Sequence, residues 1–430
     1  MPIAYNAIYG FVALIPIVTI LQGPTGRAVA TVLILAALAI VTNAASKADI
    51  SHAARVTRGL KFLAAVPACW LIVQIIPLAH HFSNSIWEAA ATALGQPLYG
   101  HISIDIGNTA GVTSTYLASI ALILVAIFSA RDRDRAEQLL YCLCVTTTFT
   151  VVELWFFQAA SNSSVGEFAA YPDVLAGAAA QGVVLNLAAS LRTIARHKSW
   201  DSEKRLFRPA LWLLLLCLIS LAICLLAIVL KTSANVGIAT SFGVVTLCFE
   251  EVIRRGRLPA WSSLTLAATL LSILAMIVAW RYNLGQSSFL TLRFVQAPAD
   301  AVEAVQRMLS DTRWTGTGAG TFPTLWPIYH DLGGTAAAQV PTTAASIMLG
   351  GGVILFFSAI AGTVLLFVVL FRGALARGRD SLYPTVAAAS IAILFGQAFC
   401  DASLSTMGVE LIITILIGIG LTQSVSQGKE

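Results

Sequence analysis

Long apolar stretches recur along the chain, and short segments that carry most of the charge separate them. A helix needs about 20 mostly apolar residues to cross the hydrocarbon core of a bilayer. The pattern predicts twelve transmembrane helices, at 8–22, 28–46, 60–79, 114–130, 136–158, 173–191, 209–230, 236–253, 260–280, 344–371, 384–400 and 408–424. We therefore expect an all-α polytopic membrane protein in which residues 1–430 form a single helical bundle.

The composition supports this fold class. Hydrophobic residues make up 57% of the chain and charged residues only 11%, and the mean hydropathy is +0.82. A soluble globule of this composition would lack the polar residues to cover its surface. No Lys or Arg precedes the first apolar stretch and a second follows closely, which indicates a membrane helix rather than a cleaved signal peptide.

The basic residues predict the orientation of the chain. Twenty of the 26 Lys and Arg residues fall on one side of the twelve-helix arrangement. Cytoplasmic loops carry the excess of Lys and Arg, so both termini are expected in the cytoplasm. This topology accounts for the net charge of +5, and we expect membrane lipids but no nucleic acid as partners. The six Lys and Arg residues on the other, external side are Arg27, Lys231, Arg281, Arg293, Arg307 and Arg313.

The seven cysteines all fall inside predicted spans, where cysteine behaves as a small hydrophobic residue. We expect no disulfide framework. Cys142 and Cys144 are two residues apart and point to different faces of a helix, and no His lies at ligand spacing. The sequence therefore predicts neither a metal site nor a cofactor. Glu153 and Asp401 are ionisable groups at predicted membrane depth, where a carboxylate faces a cavity or a partner.

Two predicted external loops, 80–113 and 281–343, are long enough to contain structure. Residues 85–88 (Ser-Ile-Trp-Glu) have capping-box spacing, which predicts a short interfacial helix anchored by Trp87. In the second loop, Asp300 and Glu303 have cap spacing ahead of apolar positions 301, 304, 305, 308 and 309. That period predicts an amphipathic helix of two to three turns, with Arg307 off its apolar stripe.

Three alternating glycines, Gly316, Gly318 and Gly320, follow this helix. Glycines at this spacing predict a turn whose backbone N–H groups can approach an anion closely. The spacing differs from dinucleotide and Walker fingerprints, and no Lys follows. The predicted external location also argues against a nucleotide ligand.

Residues 309–329, with Gly316, Gly318, Gly320 and Phe322 as Gly-x-Gly-x-Gly-x-Phe, resemble the core of the O-antigen ligase and O-antigen polymerase superfamily. The ten-residue separation of Arg307 from Gly318 is similar to a spacing in the large periplasmic loop of that family. Residues 341–352 resemble the family segment that re-enters the membrane. Topology and loop order match across most of the chain, while matching residues are confined to about 309–352.

The resemblance implies a GT-C-like bundle in the bacterial inner membrane. It implies transfer of a glycan from an undecaprenyl-diphosphate carrier to a lipopolysaccharide core or a growing polysaccharide at the periplasmic face, without metal or nucleotide. A diphosphate leaving group needs guanidinium donors, for which Arg293, Arg307 and Arg313 are the candidates. His330 is the candidate proton acceptor.

The chain departs from the family pattern at two places. Family ligases carry a His where the large loop meets the next span, and this chain has Pro341, Thr342 and Thr343 there. A Ser-Arg-Gly after the middle helices corresponds here to 231–237, in which only Lys231 can supply charge. Three interpretations are consistent with these departures. Lys231 and His330 have taken over the two roles, or the chemistry is polymerase-like and needs no His, or the chain is a homologue that has lost activity.

A secondary transporter or lipid-linked oligosaccharide flippase is the rival hypothesis, because twelve spans are also typical of carriers. The sequence shows no repeat between its halves, and the loop between spans six and seven is short. The longest loop is external and carries the amphipathic helix and the glycine turn. These features favour an enzyme of the outer face.

Overall fold

The computed structural model describes residues 2–21, 23–78, 83–160, 171–199, 207–232, 234–256, 292, 299–329, 340–377 and 381–425. Within these residues the chain forms fifteen α-helices and one 3-10 turn, Ser403–Ser405, which confirms the all-α class. The first ten helices are α1 Pro2–Ile20, α2 Pro24–Ala44, α3 Lys47–Thr57, α4 Lys61–Ile75, α5 Ser85–Leu94, α6 Ile106–Ser129, α7 Arg133–Ala160, α8 Tyr171–Ser199, α9 Phe207–Lys231 and α10 Ala234–Gly256. The last five are α11 Ala299–Asp311, α12 Phe322–Tyr329, α13 Thr343–Ala376, α14 Leu382–Gln397 and α15 Met407–Ser424.

Seven of these helices are long and apolar enough to cross a membrane: α2, α6, α7, α8, α9, α13 and α15. The pair α3 and α4 is bent by 75°, and counting it as one broken span gives eight. A polytopic membrane protein is therefore confirmed, but twelve spans are not. Apolar parts of α1, α10 and α14 are shorter than 18 residues, and the predicted span 260–280 lies outside the described residues.

Helix α15 lies at the centre of the bundle and is buried along almost its whole length. Small residues bring its neighbours close: a Cβ on Gly408 would meet Thr19 of α1, and Cβ atoms on Gly418 and Gly420 would meet α6 and α14. Lipid tails are as apolar as the side chains, so close packing of small residues drives association of membrane helices.

Basic residues predicted to share one side of the membrane lie together at one end of the bundle. Arg131 forms an ion pair with Asp49 of α3. The Tyr383 hydroxyl donates to the Arg133 carbonyl, and Gln423 donates to the Arg131 carbonyl over 3.1 Å. We call this the basic end, and the opposite end, where the glycine turn lies, the glycine end.

The two helices predicted in the loops at the glycine end are present. The predicted N-cap of α5 is wrong by one residue, because the Asn84 side chain caps the helix by accepting the Ile86 N–H over 3.2 Å. Trp87 is tied to the protein rather than left as a free anchor, since its Nε1 donates to the Ser103 carbonyl over 3.0 Å. In α11 the predicted apolar face is confirmed, with positions 301, 304, 305 and 308 buried.

Candidate functional site

Helix α13 is broken near its start. Gly352 has φ 66° and ψ −166°, a conformation that interrupts the helix and that residues with a Cβ rarely adopt. The break divides α13 into a short arm, 343–351, and a long arm, 353–376. Thr342 caps the short arm by accepting the Ala345 N–H over 3.1 Å. The short arm falls within the segment whose sequence resembles a membrane re-entrant stretch.

The glycine loop, residues 314–321, fills this break. Thr317 and Gly318 donate their N–H groups to the Leu349 and Gly350 carbonyls, both over 2.9 Å. In return the Val353 N–H donates to the Trp314 carbonyl over 3.0 Å. A break in a helix leaves backbone groups without intrahelical partners, and burial makes that costly. The loop supplies the missing partners and so stabilises the break.

The loop and the broken helix approach closely enough to require glycine. Gly316 has φ 80°, and a Cβ there would lie 2.5 Å from the Gly352 backbone nitrogen. A Cβ on Gly350 would lie 2.9 Å from the Ala319 Cα. Real Cβ atoms do not approach neighbours at such distances. We call this interlocked pair of segments, 314–321 and 349–353, the glycine clasp.

Helix α4 holds the clasp through one fully buried amide. The Gln74 Nε2 donates to the Thr315 carbonyl over 3.2 Å and to the Gly350 carbonyl over 3.0 Å. Its Oε1 accepts the Ala319 N–H over 3.1 Å. The hydrophobic pattern does not predict this role for Gln74, although an amide inside the apolar stretch 60–79 is a signal for a polar partner at membrane depth.

Replacing Gln74 with leucine will lower the thermal stability of the solubilised protein. The variant leaves the Thr315 carbonyl and the Ala319 N–H buried without a partner, at about 1–3 kcal/mol for each group. Thermal unfolding in detergent measures the effect, and Gln306→Leu on the exposed face of α11 is the matched control. Equal unfolding temperatures for the two variants would show that Gln74 does not hold the clasp.

Four successive N–H groups of the glycine turn, those of residues 316–319, are occupied in this conformation. Gly316 donates to the Arg313 carbonyl over 2.9 Å, and the next three residues donate to the short arm and to Gln74. The turn was expected to offer its N–H groups to an anion. The observed bonds give it a structural role, which is to fix the positions of Arg313 and Trp314 at its start.

The two described candidate arginines lie at the glycine end and are exposed. Arg307 of α11 donates to the Tyr329 carbonyl over 3.2 Å. Arg313 donates to the Ser83 carbonyl over 3.3 Å. Helices α11 and α12 and the short arm share one apolar cluster, which includes Met308, Trp326 and Leu349. Both arginines are therefore carried by segments that are packed or bonded to the broken helix.

Aromatic and acidic side chains accompany the arginines. The Trp314 side chain is 57% exposed, and its ring stacks on that of Trp70 with centroids 6.4 Å apart. The Tyr329 hydroxyl donates to Asp311 Oδ2 over 3.0 Å. Burial and this bond to the carboxylate raise the pKa of Tyr329, so its hydroxyl stays protonated at neutral pH.

Three further residues are predicted for the site: Lys231, Arg293 and His330. Lys231 is the exposed last residue of α9, and the helix that follows contacts Cys400, whose Sγ lies 3.9 Å from the Asn235 carbonyl oxygen. Arg293 and His330 lie outside the described residues. The structure therefore places Arg307, Arg313 and the three glycines at the same end of the bundle.

The arrangement presents exposed guanidinium groups and an exposed indole on a rigid support at one end of a membrane bundle. Guanidinium groups bind phosphate oxygens through paired hydrogen bonds, and an indole offers an apolar face with a polar edge. Among the described residues, no three His, Cys, Asp or Glu side chains are grouped so that they could hold a metal ion. Neither protein-family models nor curated protein sequences give a match to this chain.

Proposed function

We propose that this protein is a metal-independent membrane glycosyltransferase of the O-antigen ligase and polymerase type. It transfers a glycan from an undecaprenyl-diphosphate carrier to a lipopolysaccharide core or a growing polysaccharide. The reaction takes place at the periplasmic face of the bacterial inner membrane, and both termini are cytoplasmic. The observation that supports the proposal most is the glycine clasp, which fixes Arg313 and Trp314 at the membrane end that also carries Arg307.

In the reaction, the acceptor hydroxyl oxygen bonds to the anomeric carbon of the glycan. The bond from that carbon to the diphosphate breaks, and the lipid diphosphate leaves with the electron pair. Arg307 and Arg313 stabilise the developing charge with charge-assisted hydrogen bonds. The hydroxyl proton needs an acceptor, for which the sequence offers His330. Arg293 and Lys231 complete the proposed substrate-binding set, and Gly316, Gly318 and Gly320 serve it by holding Arg313 in place.

The broken helix α13 could also suit a carrier, because transporters place discontinuous helices at their substrate sites. Carriers use the freed backbone groups of such a helix to coordinate substrate. Here the freed carbonyls of Leu349 and Gly350 accept bonds from the glycine loop and from Gln74. The break is filled by protein, which favours the transferase over a secondary transporter or flippase.

Deletion of the gene and analysis of surface polysaccharide tests the proposed function. A ligase predicts lipid A–core without attached polysaccharide, and a polymerase predicts chains of a single repeat. In both cases the lipid-linked donor accumulates at the outer leaflet, where a glycosidase added to spheroplasts cleaves it. Unchanged polysaccharide, or a donor that accumulates out of reach of the glycosidase, would contradict the proposal.

A further inference from the structure

Asp401 lies in the turn that follows α14, and this turn is fastened to the short arm of α13. The Thr343 N–H donates to the Asp401 carbonyl over 2.9 Å, and the Thr343 hydroxyl donates to the same oxygen over 3.2 Å. The Ala344 N–H donates to the Ala398 carbonyl over 2.8 Å. Asp401 therefore belongs to the glycine end, at the base of the arm on which the clasp is built.

The Asp401 carboxyl group is buried and only half satisfied. The residue is 6% exposed, and its Oδ1 accepts the Ser403 N–H over 2.9 Å and the Ser403 hydroxyl. Its Oδ2 is fully buried and has no hydrogen-bond partner in the described part of the chain. An ionised carboxylate without a partner is costly in such a place. A proton on Oδ2 removes that cost.

A second carboxylate lies nearby. Asp173, in the first turn of α8, is half-buried and accepts the Ala402 N–H, so it faces the same turn. Helix α8 approaches closely, because a Cβ on Gly177 would lie 2.8 Å from the Ser403 Cβ. Two carboxylates that share a site of this kind do not both ionise readily, so the pair takes up one proton readily.

The surroundings of Asp401 act in the same direction. Burial raises the pKa of Asp401 to about 7, against the lowering effect of the Ser403 bonds and with a further rise from Asp173. The neighbouring Cys400 thiol is the other titratable group that interacts with it in the described residues, and the pKa of that thiol is itself raised to about 12. The short arm and the 3-10 turn contribute Thr343 and Ser403, which do not titrate in this range.

We propose that Asp401 and Asp173 form a carboxylate pair that, in its proton-free form, accepts the proton of the acceptor hydroxyl. This inference rests on the proposed function. As the hydroxyl oxygen bonds to the anomeric carbon, its O–H bond breaks and the proton enters the pair at Asp173, which is the less buried of the two residues. The proton is held with Asp401 Oδ2 while the lipid diphosphate leaves with its electron pair. After the diphosphate has left, the proton passes from the pair to water through Asp173.

The proton site itself is tested without any activity measurement. The unfolded chain ionises Asp401 near its ordinary pKa of 3.8, whereas the native protein keeps it protonated up to about 7. The native state binds more protons in this window, so its thermal midpoint falls as the pH rises across it. Asp401→Asn removes this group and flattens the pH dependence, while retaining an acceptor for Ser403. Glu303→Gln on exposed α11 is the control and leaves the slope unchanged.

The transfer step is tested with purified protein, a lipid-diphosphate glycan donor and an acceptor. Asp401→Asn and Asp173→Asn each lower the rate about 100- to 10,000-fold with donor binding retained, and the wild-type rate rises with pH through about 7. His330→Ala then has a small effect. If wild type transfers and both Asn variants stay within a few-fold of it, the pair is not the proton acceptor.

The two tests separate the failure of the pair from the failure of the proposed function. If the wild-type protein forms no product, both the proposed transfer reaction and the role of the pair in it are contradicted. The thermal titration still decides whether the proton site exists. An Asp401→Asn variant whose midpoint keeps the wild-type slope would overturn the proton site whatever the activity assay shows.

Discussion

Replacing Gly318 with alanine will remove folded protein from the membrane. The residue has φ 107°, and an added Cβ would lie 2.8 Å from the backbone of Ser103. Holding an L-residue in such a conformation costs about 1–3 kcal/mol, and forcing atoms into a filled site costs a further 1–3 kcal/mol, roughly. Together these losses are about 2–6 kcal/mol, which is a large part of a typical protein stability of about 5–15 kcal/mol. Size-exclusion profiles and thermal unfolding of the solubilised protein measure the result.

Gly95→Ala is the matched control for this variant. Gly95 also has a positive φ, 63°, but a Cβ there meets nothing within 4 Å. The control therefore carries the backbone strain without the collision, and it should be produced at near wild-type level. If Gly318→Ala behaves like Gly95→Ala, the close approach of the glycine loop to Ser103 does not hold the loop in place.

Replacing Arg313 or Arg307 with alanine will abolish glycan transfer while leaving the amount of protein in the membrane unchanged. Both residues are exposed, so little packing is lost. Loss of a donor that stabilises charge in a transition state lowers a rate by about 100- to 1,000-fold. Lysine at either position rescues only in part, because an ammonium group cannot make the paired contact of a guanidinium.

Arg58→Ala supplies the comparison for these variants. Arg58 is an exposed arginine that directly follows α3, and basic residues of that side gather at the opposite end of the bundle. Its loss should leave transfer unchanged. Full activity in both Arg307→Ala and Arg313→Ala would reduce these residues to their structural contacts with the Tyr329 and Ser83 carbonyls.

The hydrophobic pattern predicts the helices better than their breaks. The apolar stripe of α11 is visible because positions 301, 304, 305 and 308 repeat with the helical period, and the structure buries all four. The break at Gly352 is not visible in the pattern, since 343–376 is one apolar stretch without proline. That break depends on bonds to Trp314 and Gln74, which are remote in sequence.

The sequence predicts which types of residue form the candidate site, but it predicts few of the contacts between them. The sequence marks Asp401 as an ionisable group that needs a partner at membrane depth. It does not indicate Asp173, because that carboxylate comes from another helix more than two hundred residues earlier. The glycine spacing predicts a tight turn, and the three positive φ values confirm it. Only the tertiary structure shows that the N–H groups of this turn are bonded to the short arm.

The most direct test is glycan transfer by the purified protein in liposomes that contain an undecaprenyl-diphosphate-linked glycan. A lipid A–core acceptor and a single-repeat donor are supplied in parallel, with a chelator present throughout. The wild-type protein should form the new glycosidic bond and release undecaprenyl diphosphate, and Arg313→Ala should not. Correctly folded wild-type protein that leaves every donor intact, or that only moves it between leaflets, would contradict the assignment as a transferase.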